Sequence, residues 1–167
     1  MGSVVVANMY LTRTEIESLR PPERITVSEW ANRNRILDAK TSAMPGRWRT
    51  DVVPYLQGIM DSFTDPNVET ITLCTATQVG KSEALNNCLG YAIAQDPGSS
   101  LVVYPTLELG EYTSKNRIQP MIESSQALRE RWDRQKSEIL ELQFAGAYVC
   151  LSGANSPASL ASRPIRY

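Results

Sequence analysis

The sequence predicts an α/β fold built on a parallel sheet, and three stretches carry that prediction. Residues 69–75 set Ile71, Leu73 and Cys74 among threonines, a strand composition. Residues 81–95 place Ala84, Leu85, Cys88, Leu89 and Ile93 along one side of a helix. Leu101-Val102-Val103-Tyr104 is an unbroken apolar run, as suits a strand covered on both faces. Strand, helix and strand in that order make a βαβ unit with a right-handed crossover. At 167 residues the chain has the length of one domain and can bury a core without disulfides or metal.

The elements around this unit follow from local signals. Thr26-Val27-Ser28-Glu29 supplies helix caps ahead of Trp30-Ala31, and the helix is expected to run to Leu37. Met44-Pro45-Gly46-Arg47-Trp48 breaks regular structure. Val52, Tyr55, Leu56, Ile59, Met60 and Phe63 recur at steps of three and four, which predicts an amphipathic helix over 51–63 with Pro54 in its first turn. Asp65-Pro66-Asn67 ends it, and Asp96-Pro97-Gly98 stops the helix after residue 95. A second helical stretch runs from Leu107 to Trp132 with an interruption at Pro120. Strands over 138–144 and 148–152, joined at Ala145-Gly146, predict a C-terminal β-hairpin. Arg163-Pro164-Ile165-Arg166-Tyr167 reads as the start of another strand, so the sequence is expected to be cut from something longer. The division expected is a helical lead-in over 1–64 and a partial core over 65–167, with no repeat or low-complexity tract.

Composition narrows the chemistry. Seventeen Lys and Arg against eighteen Asp and Glu leave a net charge of −1, so no strong overall field draws the chain to nucleic acid, although a local basic groove remains open. Histidine is absent, which excludes Ser-His-Asp and Cys-His catalysis and any His-ligated zinc within these residues. Cys74, Cys88 and Cys150 are odd in number and widely spaced, and they suit a reducing compartment. Cys74 and Cys88 lie on apolar faces and are expected in the core. No apolar run approaches the roughly 20 residues of a membrane span, and Val4-Val5-Val6 is too short for a signal peptide. A soluble, intracellular protein is the expectation.

The sharpest motif is Thr75-Ala76-Thr77-Gln78-Val79-Gly80-Lys81-Ser82. A Walker A loop reads GxxxxGK[ST], and Thr75 stands where its first glycine would be. Backbone N–H groups of such a loop and of the helix that follows wrap phosphates. Gly80 would let the backbone approach, Lys81 would set a cation on the β and γ phosphates, and Ser82 would offer a hydroxyl to Mg2+. The position between a predicted strand and a predicted helix is the context the motif requires. An ordinary strand-to-helix turn with a surface lysine is the alternative.

Around this loop the sequence resembles the ATPase part of lambda-type phage terminase large subunits. The resemblance rests on Gln78-Val79-Gly80-Lys81-Ser82-Glu83, on Arg47-Trp48-Arg49-Thr50 and Pro54-Tyr55-Leu56-Gln57 before it, and on Tyr104-Pro105-Thr106-Leu107-Glu108-Leu109 after it. Gly153-Ala154-Asn155-Ser156-Pro157-Ala158-Ser159-Leu160 with Ser162-Arg163-Pro164 extends it, over residues 23–167 in family order. It implies a P-loop NTPase (RecA-like) core that binds ATP and Mg2+ and drives duplex DNA into a procapsid. The implied setting is a homo-oligomeric ring on a portal protein, with a terminase small subunit, in the host cytoplasm and away from membranes. It also implies an adenine-reading role for Gln57, whose amide can both donate and accept, with a solvated helix face as the alternative. Many terminases carry an arginine where this sequence has Thr77, which leaves Arg117 and Arg163 as candidates for a charge-stabilising arginine. Their acidic Walker B strand follows the Ser-Arg-Pro segment, and the sequence ends at Tyr167 before one. The expectation is therefore a catalytically incomplete ATPase part without the nuclease, with little or no turnover unless Glu83 or Glu108 serves instead.

Two other readings stay open: a helicase-like P-loop remodeller of nucleic acid, and a non-catalytic assembly fragment. Other constellations are weaker. Glu108 with Glu111, and Glu138 with Glu141, read as wet faces rather than carboxylate pairs. Arg129, Arg131 and Arg134 alternate with Glu130 and Asp133, as on an ordinary charged helix. Trp30, Trp48 and Trp132 are expected to pack rather than stack bases.

Overall fold

The computed structural model describes residue 12 and residues 23–40, 42–155 and 164–167. Ser156 to Leu160, Ser162 and Arg163, cited above for the resemblance, lie outside the described residues, as do the first residues of the chain.

The lead-in begins with α1 (Val27–Asn34), closed at its N-terminus by a reciprocal cap. Thr26 Oγ1 accepts from the Glu29 N–H at 3.3 Å, and the Glu29 carboxylate accepts from the Thr26 N–H at 3.0 Å. The helix ends before Leu37, earlier than its sequence predicts. Ile36–Leu37 turns into β1 and pairs antiparallel with β2 (Gly46–Arg47). The amphipathic stretch 51–63 is likewise not one helix. Tight 3-10 turns over Thr50–Val52 and Pro54–Leu56 precede α2 (Gln57–Asp61), and a third turn over Ser62–Thr64 closes it. The break falls at Val53, at φ −131° and ψ 58°, because the residue before a proline is driven out of the helical region. The apolar face is split as a result: Leu56 and Met60 are buried, whereas Val52 and Tyr55 turn to solvent.

The long helix stands, as α3 (Lys81–Ala94), although Leu85, expected on its apolar side, is 59% exposed. It lies against α1, and a Cβ at Gly90 would come within 2.4 Å of the Trp30 ring, so only glycine fits there. Trp30, Leu56, Met60 and Ile93 form the core of this junction.

The molecule is a mixed α/β structure with a three-stranded sheet in the order β3 (Ser100–Tyr104), β5 (Ala147–Gly153), β4 (Glu141–Phe144). β3 and β5 are parallel with Val102 opposite Leu151. β4 and β5 form the hairpin that the sequence predicts, turning at Ala145-Gly146 with Gly146 at φ +82°. Between β3 and the hairpin run α4 (Leu107–Thr113), a π-helical turn (Ser114–Ile118), α5 (Gln119–Ser124) and α6 (Gln126–Arg129). The interruption expected at Pro120 is instead a π turn before it and a break at Ser125 (φ −101°, ψ 111°) after it. The last helix ends at Arg129 rather than Trp132, and Pro120 itself sits in the first turn of α5, where its missing N–H costs little.

The expected strand over 69–75 is absent. Residues 68–76 belong to no ladder, and most of them are exposed. The βαβ unit read from the sequence consequently lacks its first strand, and the parallel pair is made by β3 with β5 instead. β3's outer edge is met by the chain's last residues. The Leu101 N–H donates to the Tyr167 carbonyl at 2.9 Å and the Tyr167 N–H to the Ser99 carbonyl at 3.1 Å, the bonding of a parallel pair at Ser100 and Tyr167. A cleft of about 970 Å3 separates β3 from Ile71 and Leu73. Strand composition without an adjacent edge gives no strand. No helix among the described residues is long and apolar enough to cross a membrane.

Candidate functional site

The loop 75–80 joins the unpaired segment to α3. It turns at residues 77–80, with Gln78 at φ 60° and Gly80 at φ 82°. Gln78 is the sole non-glycine in the left-handed region among the described residues, a strained geometry for a side chain with a Cβ. The lead-in braces the loop from beneath. Leu56 is buried, and its Cδ1 would lie 3.1 Å from a Cβ on Gly80. The Tyr55 hydroxyl donates to the Val79 carbonyl at 3.1 Å. The Gly80 carbonyl then accepts from both Glu83 and Ala84 at 3.0 Å and starts the helix.

One consequence is chemical. Apart from the turn that spans residues 76–79, none of the N–H groups of Ala76 to Ser82 donates to a backbone carbonyl among the described residues. They lead into the positive end of a helix 14 residues long, with Lys81 as its first residue. Free donors, a helix N-terminus and an ammonium together make a seat for an anion. A chain of phosphates fits these donors. A metal fits less fully: Ser82 offers an exposed hydroxyl, but no group of three or more His, Cys, Asp or Glu side chains that could hold an ion occurs among the described residues.

Behind the anion seat lies a buried ion pair. Glu83, in the first turn of α3, accepts from Arg35 at 2.7 Å, and only 5% of the Arg35 side chain is exposed. Arg35 Nη1 also donates to the Ile36 carbonyl, and its Nε has no partner among the described residues. Burial lowers the Arg35 pKa, and the Glu83 charge and hydrogen bond oppose that shift. The other Glu83 oxygen lies 3.8 Å from Arg117. Glu83 is thus engaged by arginines, and Glu108 holds its own helix start: its backbone N–H and Thr106 keep its carboxyl below the usual range.

The remaining candidates sort themselves. Gln57 opens α2 with an exposed side chain, directly after the two residues that touch the loop. Thr75, Ala76, Thr77 and Gln78 are exposed, and Val79, Gly80 and Lys81 are half-buried. Arg129 donates to the Glu123 carbonyl at 3.1 Å, while Arg134 pairs with the Glu123 carboxylate and covers the Trp132 ring, so this run is a charged face. Trp30 and Trp48 are core residues. Cys88, expected in the core, is half-buried, and desolvation pushes its thiol up to about 12. Cys74, expected in the core, is exposed because its segment has no partner strand.

Sequence reasoning missed Arg35 and the loop contact of Tyr55. Arg35 has no local signal, because its partner is 48 residues away. Tyr55 fell on the apolar side of a helix that Val53 interrupts.

Comparison with known proteins adds a family. The family model described as "Phage terminase large subunit gpA, ATPase domain" matches residues 42–167, three quarters of the chain. The terminase large subunit of Enterobacteria phage P21 is 30% identical over 148 residues, covering 84% of this chain and 23% of that protein. The terminase large subunit of Escherichia phage lambda is 27% identical over 113 residues, covering 68% of this chain and 17% of that protein. The chain thus spans less than a quarter of the length of these relatives. No solved structure matches it.

Proposed function

Because the chain belongs to the phage terminase large subunit ATPase-domain family, we propose that it forms the ATP-binding part of a viral DNA-packaging motor with a P-loop NTPase core. In that motor, ATP hydrolysis is coupled to translocation of duplex DNA into a procapsid. The surrounding assembly is a ring of large subunits on a portal protein, with a terminase small subunit. The observation that carries this reading is the run of N–H groups from Ala76 to Ser82, most of them unpartnered, that leads into the start of α3 at Lys81.

The roles follow from chemistry. Backbone donors of residues 75–82 hold the phosphates, and the helix N-terminus favours their charge. Lys81 lies at the β and γ phosphates, where its charge offsets theirs. Gln57 reads the adenine edge from its place beside Tyr55 and Leu56. Mg2+ would neutralise phosphate charge, with the Ser82 hydroxyl as this chain's ligand and phosphate and water supplying the rest. Within the lead-in, Tyr55 and Leu56 brace the loop and Gln57 meets the base, while residues from 65 onward carry the phosphates.

Lys81→Ala tests the reading. Removing a charge-assisted contact costs about 1.5–3 kcal/mol, so calorimetry on the 167-residue protein should show ATP affinity falling roughly 10- to 150-fold. The thermal midpoint should barely move, because among the described residues Lys81 is in no ion pair. Parent affinity in the variant would refute the phosphate loop.

A further inference from the structure

The ion pair behind the loop holds one more positive charge than it uses. Arg35 already neutralises Glu83 at 2.7 Å, from a site 5% exposed. The Arg117 guanidinium nevertheless lies 3.8 Å from the second Glu83 oxygen, beyond hydrogen-bond length, with its side chain 42% exposed. Arg35, Arg117 and Lys81 thus outnumber Glu83 at the start of α3, while the cleft lining also carries Glu69. Such a surplus suits an anion that carries more than one charge.

We propose that Arg117 is a specificity-determining residue that contacts the terminal phosphate of a nucleoside triphosphate seated on loop 75–82, and that Glu83 holds it in reserve when the loop is empty. The inference deepens the phosphate-loop reading and rests on it. Its geometric basis is that Arg117 lines the same cleft of about 970 Å3 as Ser82, together with Tyr104 and Tyr112. Tyr104 ends β3, and the crevice outside the carboxyl ends of parallel strands is where ligands of such sheets bind. Burial raises the Tyr104 pKa, and the Thr113 hydrogen bond and then the Arg117 charge offset part of that rise, so the Arg117 charge reaches that crevice.

The local backbone suits a residue that moves only its side chain. Arg117 sits in the π-helical turn Ser114–Ile118, a wide turn often found at functional sites. The turn is pinned at both ends: the buried Ser114 hydroxyl donates to the Ile139 carbonyl, and Ile118 is fully buried. Leaving Glu83 costs little, because a long ion pair at a half-exposed guanidinium is weak. Its planar fork then meets phosphate oxygens two at a time, a stronger arrangement than the one it leaves. Arg35 remains on Glu83 throughout, so the carboxylate is never unpaired.

The test compares ATP and ADP binding by calorimetry to the parent protein, Arg117→Gln, Arg117→Lys and Lys81→Ala. Arg117→Gln should weaken ATP about tenfold and ADP less than twofold, because only the triphosphate presents the third phosphate. Arg117→Lys should recover part of the loss, and the thermal midpoint of both should stay near the parent value. Equal loss for both nucleotides, no loss for either, or a fallen midpoint with general weakening would each overturn the role of Arg117. If Lys81→Ala weakens both nucleotides in that same experiment, the phosphate loop survives such a result. If the parent binds neither nucleotide, or Lys81→Ala changes neither, the loop reading falls and this inference with it.

Discussion

The two flanks of the 75–82 loop come from the same kind of sequence and meet opposite fates. On the C-terminal side α3 is held by Trp30 against Gly90, by Leu56 under Gly80 and by Arg35 on Glu83. On the N-terminal side residues 68–76 have the apolar and β-branched content of a strand, yet they lie largely exposed across a cleft from β3. A helix closes its hydrogen bonds within itself and needs a neighbour only for its apolar stripe. A strand has no bonds until another edge lies beside it. The braced flank positions the helix start, its free N–H groups and Lys81, so the chemistry of the loop depends on the lead-in more than on the segment that precedes it in sequence.

The sharpest way to break this contrast is Leu56→Ala. Leu56 is 1% exposed and fills the space under Gly80. Its truncation should destabilise the protein by about 2–5 kcal/mol in urea unfolding, as other buried leucines do. Nucleotide affinity should fall with it, because the cavity opens beneath the loop. A loss under about 1 kcal/mol would mean the lead-in does not brace the loop.

What the sequence revealed follows the same division. α3, the hairpin turn at Ala145-Gly146 and the Ser/Thr cap of α1 were legible because their signals are local. The helix start after Gly80 was legible from Gly80-Lys81-Ser82, whereas the strand expected before the loop is absent. The continuous helix over 51–63 was misread, although Pro54 was in view: its effect falls on Val53, the residue before it. The strand over 69–75 was misread because composition describes a candidate, whereas an edge to pair with is a property of the fold. Arg35 and Arg117 meet Glu83 from 48 and 34 residues away in the chain, a convergence that periodicity does not encode.

A finer probe of the braced flank is Tyr55→Phe. The Tyr55 hydroxyl donates to the Val79 carbonyl at 3.1 Å, while the residue is 57% exposed. An exposed neutral hydrogen bond is worth about 0.5–1 kcal/mol at most. That loss should appear at the loop rather than in global stability. ATP binding should weaken two- to fivefold, and the urea midpoint should stay within error. A fallen midpoint with unchanged ATP affinity would place Tyr55 in the general fold instead of the loop brace.

The smallest effect belongs to the unbraced flank. Ile71 is 38% exposed, and its segment makes no ladder, so Ile71→Thr removes little buried apolar surface and breaks no backbone pairing. Threonine keeps the β-branched shape, which leaves local backbone preference nearly unchanged. The stability change should lie within about 0.5 kcal/mol, the usual range for surface substitutions. Urea unfolding of the 167-residue protein measures it, alongside Leu56→Ala as the contrasting case. Amide hydrogen exchange supplies a second reading, since N–H groups outside any ladder should exchange far faster than those of β3 and β5. A loss above about 1.5 kcal/mol, or protection at residues 70–74 equal to that of β5, would mean that this segment is paired in solution. The two flanks would then be alike, and the loop would be held from both sides.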